Sequence, residues 1–121
     1  MISHLDHLVL TVSDIERAVA FYQRVLQMEP ITFGNGRRAL RFGQQKINLQ
    51  VLGQETRNHA RVGSGDICLI TSWPLTAVIA HLQREQVTIL EGPVPKAGAQ
   101  GPIESVYFTD PDGNLIEVSA Y

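Results

Sequence analysis

The chain has 121 residues, 44% of them apolar and 18% charged, a composition that excludes intrinsic disorder and predicts one ordinary domain. Ten Lys and Arg against twelve Asp and Glu leave a net charge of −2, so no basic excess exists for nucleic-acid binding. The one cysteine, Cys68, excludes a disulfide framework and a cysteine-based zinc cluster. Apolar runs are too short for a membrane span and no secretory signal is visible, so we expect a soluble cytoplasmic protein.

The first predicted strand covers residues 5–13, where apolar residues alternate, and a helix follows it directly. Ser13 and Glu16 match a capping box, which predicts Ser13 as the N-cap. The helix then has one apolar face, formed by Ile15, Ala18, Val19, Tyr22 and Leu26.

Three short strands are predicted next, over residues 30–33, 38–42 and 46–52. Turns at residues 34–36 and 43–45 separate them, because Gly and Asn tolerate the positive φ of tight turns. Residues 53–65 are polar and rich in Gly, and we interpret them as a linker.

The same pattern then begins again. A strand is predicted over residues 66–71, with Ser72 as N-cap and Pro74 in the first turn of a second helix. The apolar face of that helix is Leu75, Val78, Ile79 and Leu82. Strands at 87–90, 105–109 and 115–120 follow, the last two joined by an Asp-Pro-Asp-Gly turn at 110–113. The Gly- and Pro-rich segment 92–102 is predicted as a loop, which either covers a pocket or only connects strands.

The chain thus repeats a β-α-β-β-β order, and a shift of 60 residues superimposes the two helical faces. We expect an α+β fold in a single domain, residues 1–121, with a first module at 1–52, a linker at 53–65 and a second module at 66–121.

Polar residues have the strand parity opposite to the apolar residues that should face the helices. They are His7, Arg41, Asn48, Gln50, Asp66, Cys68, Tyr107, Glu117 and Ser119. Ionisable groups are costly to bury unless they are paired or bind a metal. An imidazole with carboxylate and amide oxygens suits Mn²⁺, Fe²⁺, Ni²⁺ or Zn²⁺. We interpret Asn48 as structural and Cys68 as a small core residue.

Three segments carry a family resemblance, at residues 5–12, 18–22 and 107–117, the last being Tyr-Phe-Thr-Asp-Pro-Asp-Gly-Asn-Leu-Ile-Glu. With them the chain resembles the vicinal oxygen chelate superfamily, which includes glyoxalase I, the bleomycin- and fosfomycin-resistance proteins and the extradiol dioxygenases. The resemblance implies two βαβββ modules that form an incompletely closed, barrel-like curved sheet.

The resemblance also implies metal ligands on the first and last strands of each module. His7 and Glu117 match the usual ligands, whereas Gln50 stands where Glu or His is commoner and Asp66 where His is expected. A shift of exactly 60 residues would place Ile67 opposite His7, and only strand parity favours Asp66.

The implied function is that of a metal-dependent enzyme acting on a small oxygen-rich or electrophilic metabolite. Lactoylglutathione-lyase-like isomerisation and thiol addition both remain open, as do the metal (Ni, Mn, Fe or Zn) and glutathione or another thiol as co-substrate. Isomerisation needs a base, for which Glu117 is the best candidate and Asp66 the second. One matching histidine disfavours oxygen activation, which needs two. Arg41 and Tyr107 are candidate substrate contacts.

The resemblance implies a homodimer, with the metal site in one chain or shared between two. The alternative class is a non-catalytic protein that sequesters a ligand, as the bleomycin-resistance proteins do. That class predicts an aromatic groove, which four Phe, three Tyr and one Trp make hard to build. A purely structural dimer would leave the polar set unexplained.

Overall fold

A computed structural model of the chain describes residues 1–121 and divides into two compact units, Met1–Ser64 and Gly65–Tyr121. The first unit contains β1 (His7–Val12), α1 (Ile15–Leu26), β2 (Glu29–Phe33), β3 (Arg37–Phe42) and β4 (Gln45–Val51). The second contains β5 (Asp66–Ile70), α2 (Leu75–Arg84), β6 (Glu91–Gly98), β7 (Gly101–Thr109) and β8 (Leu115–Ala120). The predicted α+β class and the repeated βαβββ order are confirmed. Neither helix is long and apolar enough to cross a membrane.

The strands of the first unit form sheet A in the order β1-β4-β3-β2. β1 and β4 run parallel, and the other neighbours are antiparallel. One face of the sheet packs against the apolar face of α1. The buried apolar residues of this unit include Leu10, Val12, Ala18, Val19, Tyr22, Val25, Leu40, Ile47 and Leu49. Residues of the other strand parity lie on the opposite face, which we call the distal face of sheet A.

The second unit repeats this topology in sheet B, with the order β5-β8-β7-β6 and a parallel β5–β8 pair. Its buried apolar residues include Val78, Leu82, Val106, Phe108, Ile116 and Val118. The face opposite α2 is the distal face of sheet B. It carries Asp66, Cys68, Ser105, Tyr107, Glu117 and Ser119.

Both predicted helix caps are wrong. The N-cap of α1 is Asp14, whose Oδ1 accepts a hydrogen bond from the backbone N–H of Arg17 at 3.0 Å. Ser13 instead accepts a hydrogen bond from the Arg17 guanidinium at 2.8 Å. Ser and Asp are equally good caps, so two adjacent candidates cannot be separated from sequence. The residue before α2 is Pro74, which offers no side-chain cap, and Ser72 lies outside the helix.

The strand predicted at residues 87–90 is also wrong, because that segment is irregular and the adjacent strand is β6. Most of the predicted loop at 92–102 is strand, since β6 pairs with β7 in an antiparallel hairpin. Pro93 and Pro95 made this segment look like a loop in the sequence. Proline is nevertheless tolerated at a sheet edge, where β6 lies. Gly92 has φ +114°, and a Cβ there would lie 2.4 Å from the carbonyl oxygen of Ser105, so β6 approaches β7 too closely for any other residue.

Candidate functional site

His7 begins β1 on the distal face of sheet A, with 43% of its side chain exposed. Its Nδ1–H donates to Asp6 Oδ1 at 2.7 Å, which leaves the lone pair of the neutral ring on Nε2. The hydrogen bond from His7 is the main cause that holds the pKa of Asp6 below its ordinary value. A carboxylate on one ring nitrogen is the usual support of a metal-binding histidine. His7 is therefore an oriented nitrogen donor.

Gln50 does not lie beside His7. The parallel register pairs Gln50 with Thr11 and His7 with Lys46. Four residues of strand, about 13 Å at the usual rise, therefore separate the two positions. Gln50 is buried, and its Nε2 donates to Thr11 Oγ1 at 3.0 Å. The structure thus does not bring these two predicted ligands together.

Asn48, which we predicted to be a structural residue, has an unusual environment. It pairs with Val9 of β1, only two residues along the strand from the level of His7 and on the same face. Asn48 is 3% exposed, and its Oδ1 is buried without a hydrogen-bond partner. An unpaired buried acceptor costs about 1–3 kcal/mol. Asn48 therefore offers an oxygen that a cation or a hydrogen-bond donor of a ligand can use.

Arg41, a predicted substrate contact, is already paired. Its guanidinium donates to both carboxylate oxygens of Glu29, with distances of 2.9–3.2 Å. Both side chains are exposed, so solvent screens the pair. A substrate anion would have to compete with Glu29 for this arginine.

Glu117 lies at the centre of a hydrogen-bond network on the distal face of sheet B. Its Oε2 accepts from Ser105 Oγ at 2.6 Å and from Ser119 Oγ at 3.1 Å. The two hydroxyl oxygens are themselves 2.6 Å apart. Tyr107 lies opposite Glu117 in the β7–β8 register.

Burial raises the pKa of Glu117, but the hydrogen bonds from Ser105, Tyr107 and Ser119 outweigh it and hold this pKa below its ordinary value. Burial also raises the pKa of Tyr107, to about 12, and the hydrogen bond to Glu117 adds to that effect. At neutral pH Glu117 is thus an anionic oxygen donor and a weak base, while Tyr107 keeps its proton.

Cys68 and Asp66 complete this face. Cys68 is exposed rather than part of the core, pairs with Glu117 in register, and has its Sγ 3.4 Å from Ser119 Oγ. Burial and the Glu117 charge raise the pKa of the Cys68 thiol, with the Ser119 contact opposing them, so it stays protonated and is a poor nucleophile. Asp66 lies two residues before Cys68 on the same face and is exposed.

The two sheets repeat one arrangement of polar residues. In sheet A, Val9 pairs with Asn48, and His7 precedes Val9 by two. In sheet B, Cys68 pairs with Glu117, and Asp66 precedes Cys68 by two. Asn48, not Gln50, is therefore the counterpart of Glu117. A signal for this exists in the sequence, because each is the third residue of its predicted strand, 46–52 or 115–120.

The donor chemistry of these residues suits a divalent metal. His7 and Asn48 supply imidazole nitrogen and amide oxygen, and Asp66 and Glu117 supply carboxylates. No three His, Cys, Asp or Glu side chains are gathered into a metal-binding group in the structure. The oxygen of Asn48 that lacks a partner lies outside that count, and together with His7 it gives the distal face of sheet A a nitrogen and oxygen donor pair of the kind that suits Mn²⁺, Fe²⁺, Ni²⁺ or Zn²⁺.

Comparison with known proteins shows one family. Residues 4–118 match the model of the Glyoxalase/Bleomycin resistance protein/Dioxygenase superfamily. The virulence protein STM3117 of Salmonella typhimurium is 48% identical over 100% of this chain and 86% of its own length. A solved integron cassette protein from V. cholerae is 57% identical with a TM-score of 0.95, covering 100% of this chain and 97% of that one. The metallothiol transferase FosB of Shouchella clausii is 29% identical over 98% of this chain and 80% of its own length. The chain therefore belongs to the Glyoxalase/Bleomycin resistance protein/Dioxygenase superfamily.

Proposed function

We propose that the chain is a metal-dependent enzyme that adds a thiol to a small electrophilic, oxygen-rich metabolite. The observation that carries this proposal is the buried Oδ1 of Asn48, which has no hydrogen-bond partner. Asn48 lies on the same face of sheet A as His7, whose ring is oriented by Asp6. Such an oxygen is costly in the free protein and is satisfied by a bound cation. Similarity to a protein named as a metallothiol transferase favours thiol addition over isomerisation.

We propose as candidate metal ligands His7 and Asn48 in the first unit and Asp66 and Glu117 in the second. A bound divalent metal would act as a Lewis acid towards the substrate oxygens. Ser105 and Ser119 hold Glu117 in its anionic form and fix its orientation. The low pKa of Glu117 makes it a poor base for moving a carbon-bound proton, which isomerisation requires. Thiol addition needs no such base. As the sulfur–carbon bond forms, a carbon–oxygen bond at the same carbon gives its electron pair to the oxygen, and that oxygen takes up the thiol proton.

Metal binding provides the direct test. The purified chain should contain a divalent metal, or its melting temperature should rise on addition of Mn²⁺, Ni²⁺, Fe²⁺ or Zn²⁺ after chelation. At a metal concentration of about 100 times Kd the expected gain in the free energy of unfolding is about 2.7 kcal/mol. His7→Ala and Glu117→Ala should abolish the shift, and Asn48→Ala should reduce it. His59→Ala, in the segment between β4 and β5, should leave it unchanged.

A protein without metal and without a shift contradicts this proposal and favours the alternative class, a ligand-sequestering protein without turnover. If the shift survives in His7→Ala but not in His59→Ala, the ligand assignment is wrong. The thiol co-substrate, the homodimer and the cytoplasmic location expected from the sequence belong to this same proposal.

A further inference from the structure

Two cations on the distal face of sheet A share one aromatic ring and make no salt bridge. Lys46 Nζ lies 3.5 Å from the centroid of the Phe33 ring, and Arg37 Cζ lies 4.8 Å from it. Neither cation makes a salt bridge, whereas the other two arginines of β3 each hold a glutamate. The charge of Lys46 acts on Asp6 at longer range, but that carboxylate is engaged by its neighbouring histidine. Two like charges thus share one ring, and neither has a salt-bridge partner.

The lysine reaches this ring across the sheet. Lys46 is on β4 and Phe33 ends β2, with β3 between them. The register places Ala39 of β3 directly beside Asn48 of β4, which is two residues along the strand from Lys46 and on the same face. Ala39 is fully buried and Asn48 nearly so. The extended side chain of Lys46 must therefore cross the small residue Ala39, next to Asn48, whose Oδ1 lacks a hydrogen-bond partner.

We propose that Lys46 and Arg37 form an oxyanion subsite, so that the substrate is a small organic anion. This inference rests on the proposed function and names its substrate class: one negatively charged group bound by the two cations, and further oxygens left for the metal. Ammonium and guanidinium groups bind carboxylate, phosphonate or phosphate oxygens by charge-assisted hydrogen bonds, which are stronger than the contact of a cation with a ring. When the anion binds, the Lys46 side chain leaves the Phe33 ring and no longer covers the surface beside Asn48.

Isothermal titration calorimetry of the purified full chain tests the subsite, with succinate and inorganic phosphate as separate probes. We expect saturable binding of at least one probe. The probe that binds with the higher affinity identifies the class of oxyanion. Lys46→Gln and Arg37→Gln should each weaken binding by about tenfold or more, while Lys46→Arg retains it. Lys96→Gln is the matched control, because Lys96 Nζ also lies over a ring, that of Tyr107 at 5.5 Å, but on sheet B.

Failure of both probes to bind overturns the inference, and so does an equal loss of affinity in the Lys46→Gln and Lys96→Gln variants. Metal-induced thermal shifts of the same variants separate this failure from that of the proposed function. Lys46→Gln should keep the wild-type shift, because Lys46 is not a proposed ligand. A metal shift without anion binding refutes the subsite alone. Anion binding that depends on Lys46 in a chain without a metal shift refutes the proposed enzyme and supports the subsite.

Discussion

His7 and Glu117 gain their chemistry from the residues that hold them. The imidazole of His7 is oriented by the Asp6 carboxylate at 2.7 Å. The Glu117 carboxylate accepts from two serine hydroxyls, and these bonds lower its pKa despite partial burial. Neither arrangement follows from the identity of the two residues. Both depend on which neighbours the strand register brings within hydrogen-bond distance.

At the residue scale, Asp6→Asn should weaken metal binding by about tenfold or more, because the amide no longer fixes the ring tautomer or raises the basicity of Nε2. Calorimetric titration with Zn²⁺ measures the change. Ser3→Ala is the control, since Ser3 Oγ lies 2.6 Å from Nδ1 of another histidine, His4, that we do not assign as a ligand. Unchanged affinity in Asp6→Asn would show that this carboxylate does not support the metal.

Helix caps and edge strands depend on competition between neighbouring residues. At the start of α1, Ser13 and Asp14 are both suitable caps, and the backbone places Asp14 at the N-cap with φ −142° and ψ 111°. The strand β6 contains two prolines and still pairs with β7 at Glu91 and from Val94 to Gly98, with an irregularity between Glu91 and Val94. This is possible because the outer edge of β6 needs no donors. Local composition therefore predicted the helix cap and the edge strand less well than it predicted the two amphipathic helices.

At the element scale, Asp14→Ala should destabilise the protein by about 1 kcal/mol, because the N–H of Arg17 loses its acceptor. Ser13→Ala should cost about 0.5 kcal/mol or less, since it removes only an exposed contact with the Arg17 guanidinium. Urea unfolding followed by circular dichroism compares the two. A larger loss in Ser13→Ala would make Ser13 the functional cap.

A polar network in the second unit connects distant parts of the chain. Asp110 and Asn114 are both buried at the turn between β7 and β8. Asp110 Oδ1 accepts from the backbone N–H groups of Asp112 and Asn114, and its Oδ2 accepts from Asn114 Nδ2 at 2.8 Å. Asn114 Oδ1 in turn accepts from the N–H of Gly65 at 2.7 Å. The turn thus fixes the start of the second unit, 49 residues away in sequence.

At the scale of the whole molecule, Asp110→Ala should lower the free energy of unfolding by about 2–4 kcal/mol, because it leaves several buried donors without acceptors. Glu104→Ala, which removes an exposed carboxylate from β7, should change it by less than about 0.5 kcal/mol. Chemical denaturation monitored by tryptophan fluorescence gives both values. Equal stability of the two variants would contradict a structural role for the Asp110 network.

The sequence by itself determined the repeated βαβββ order, both helices, the α+β class and the family, because hydrophobic periodicity and the motif at 107–117 are local properties of the chain. Tertiary structure decided the pairing of strands. Parity placed Asn48 and Gln50 on one face, but only the β1–β4 register shows that Asn48 lies near the level of His7 while Gln50 is four residues away. Pairing between strands about 40 residues apart depends on packing over the entire sheet, which no local pattern encodes. For the same reason the cation pair on Phe33 became visible only in three dimensions.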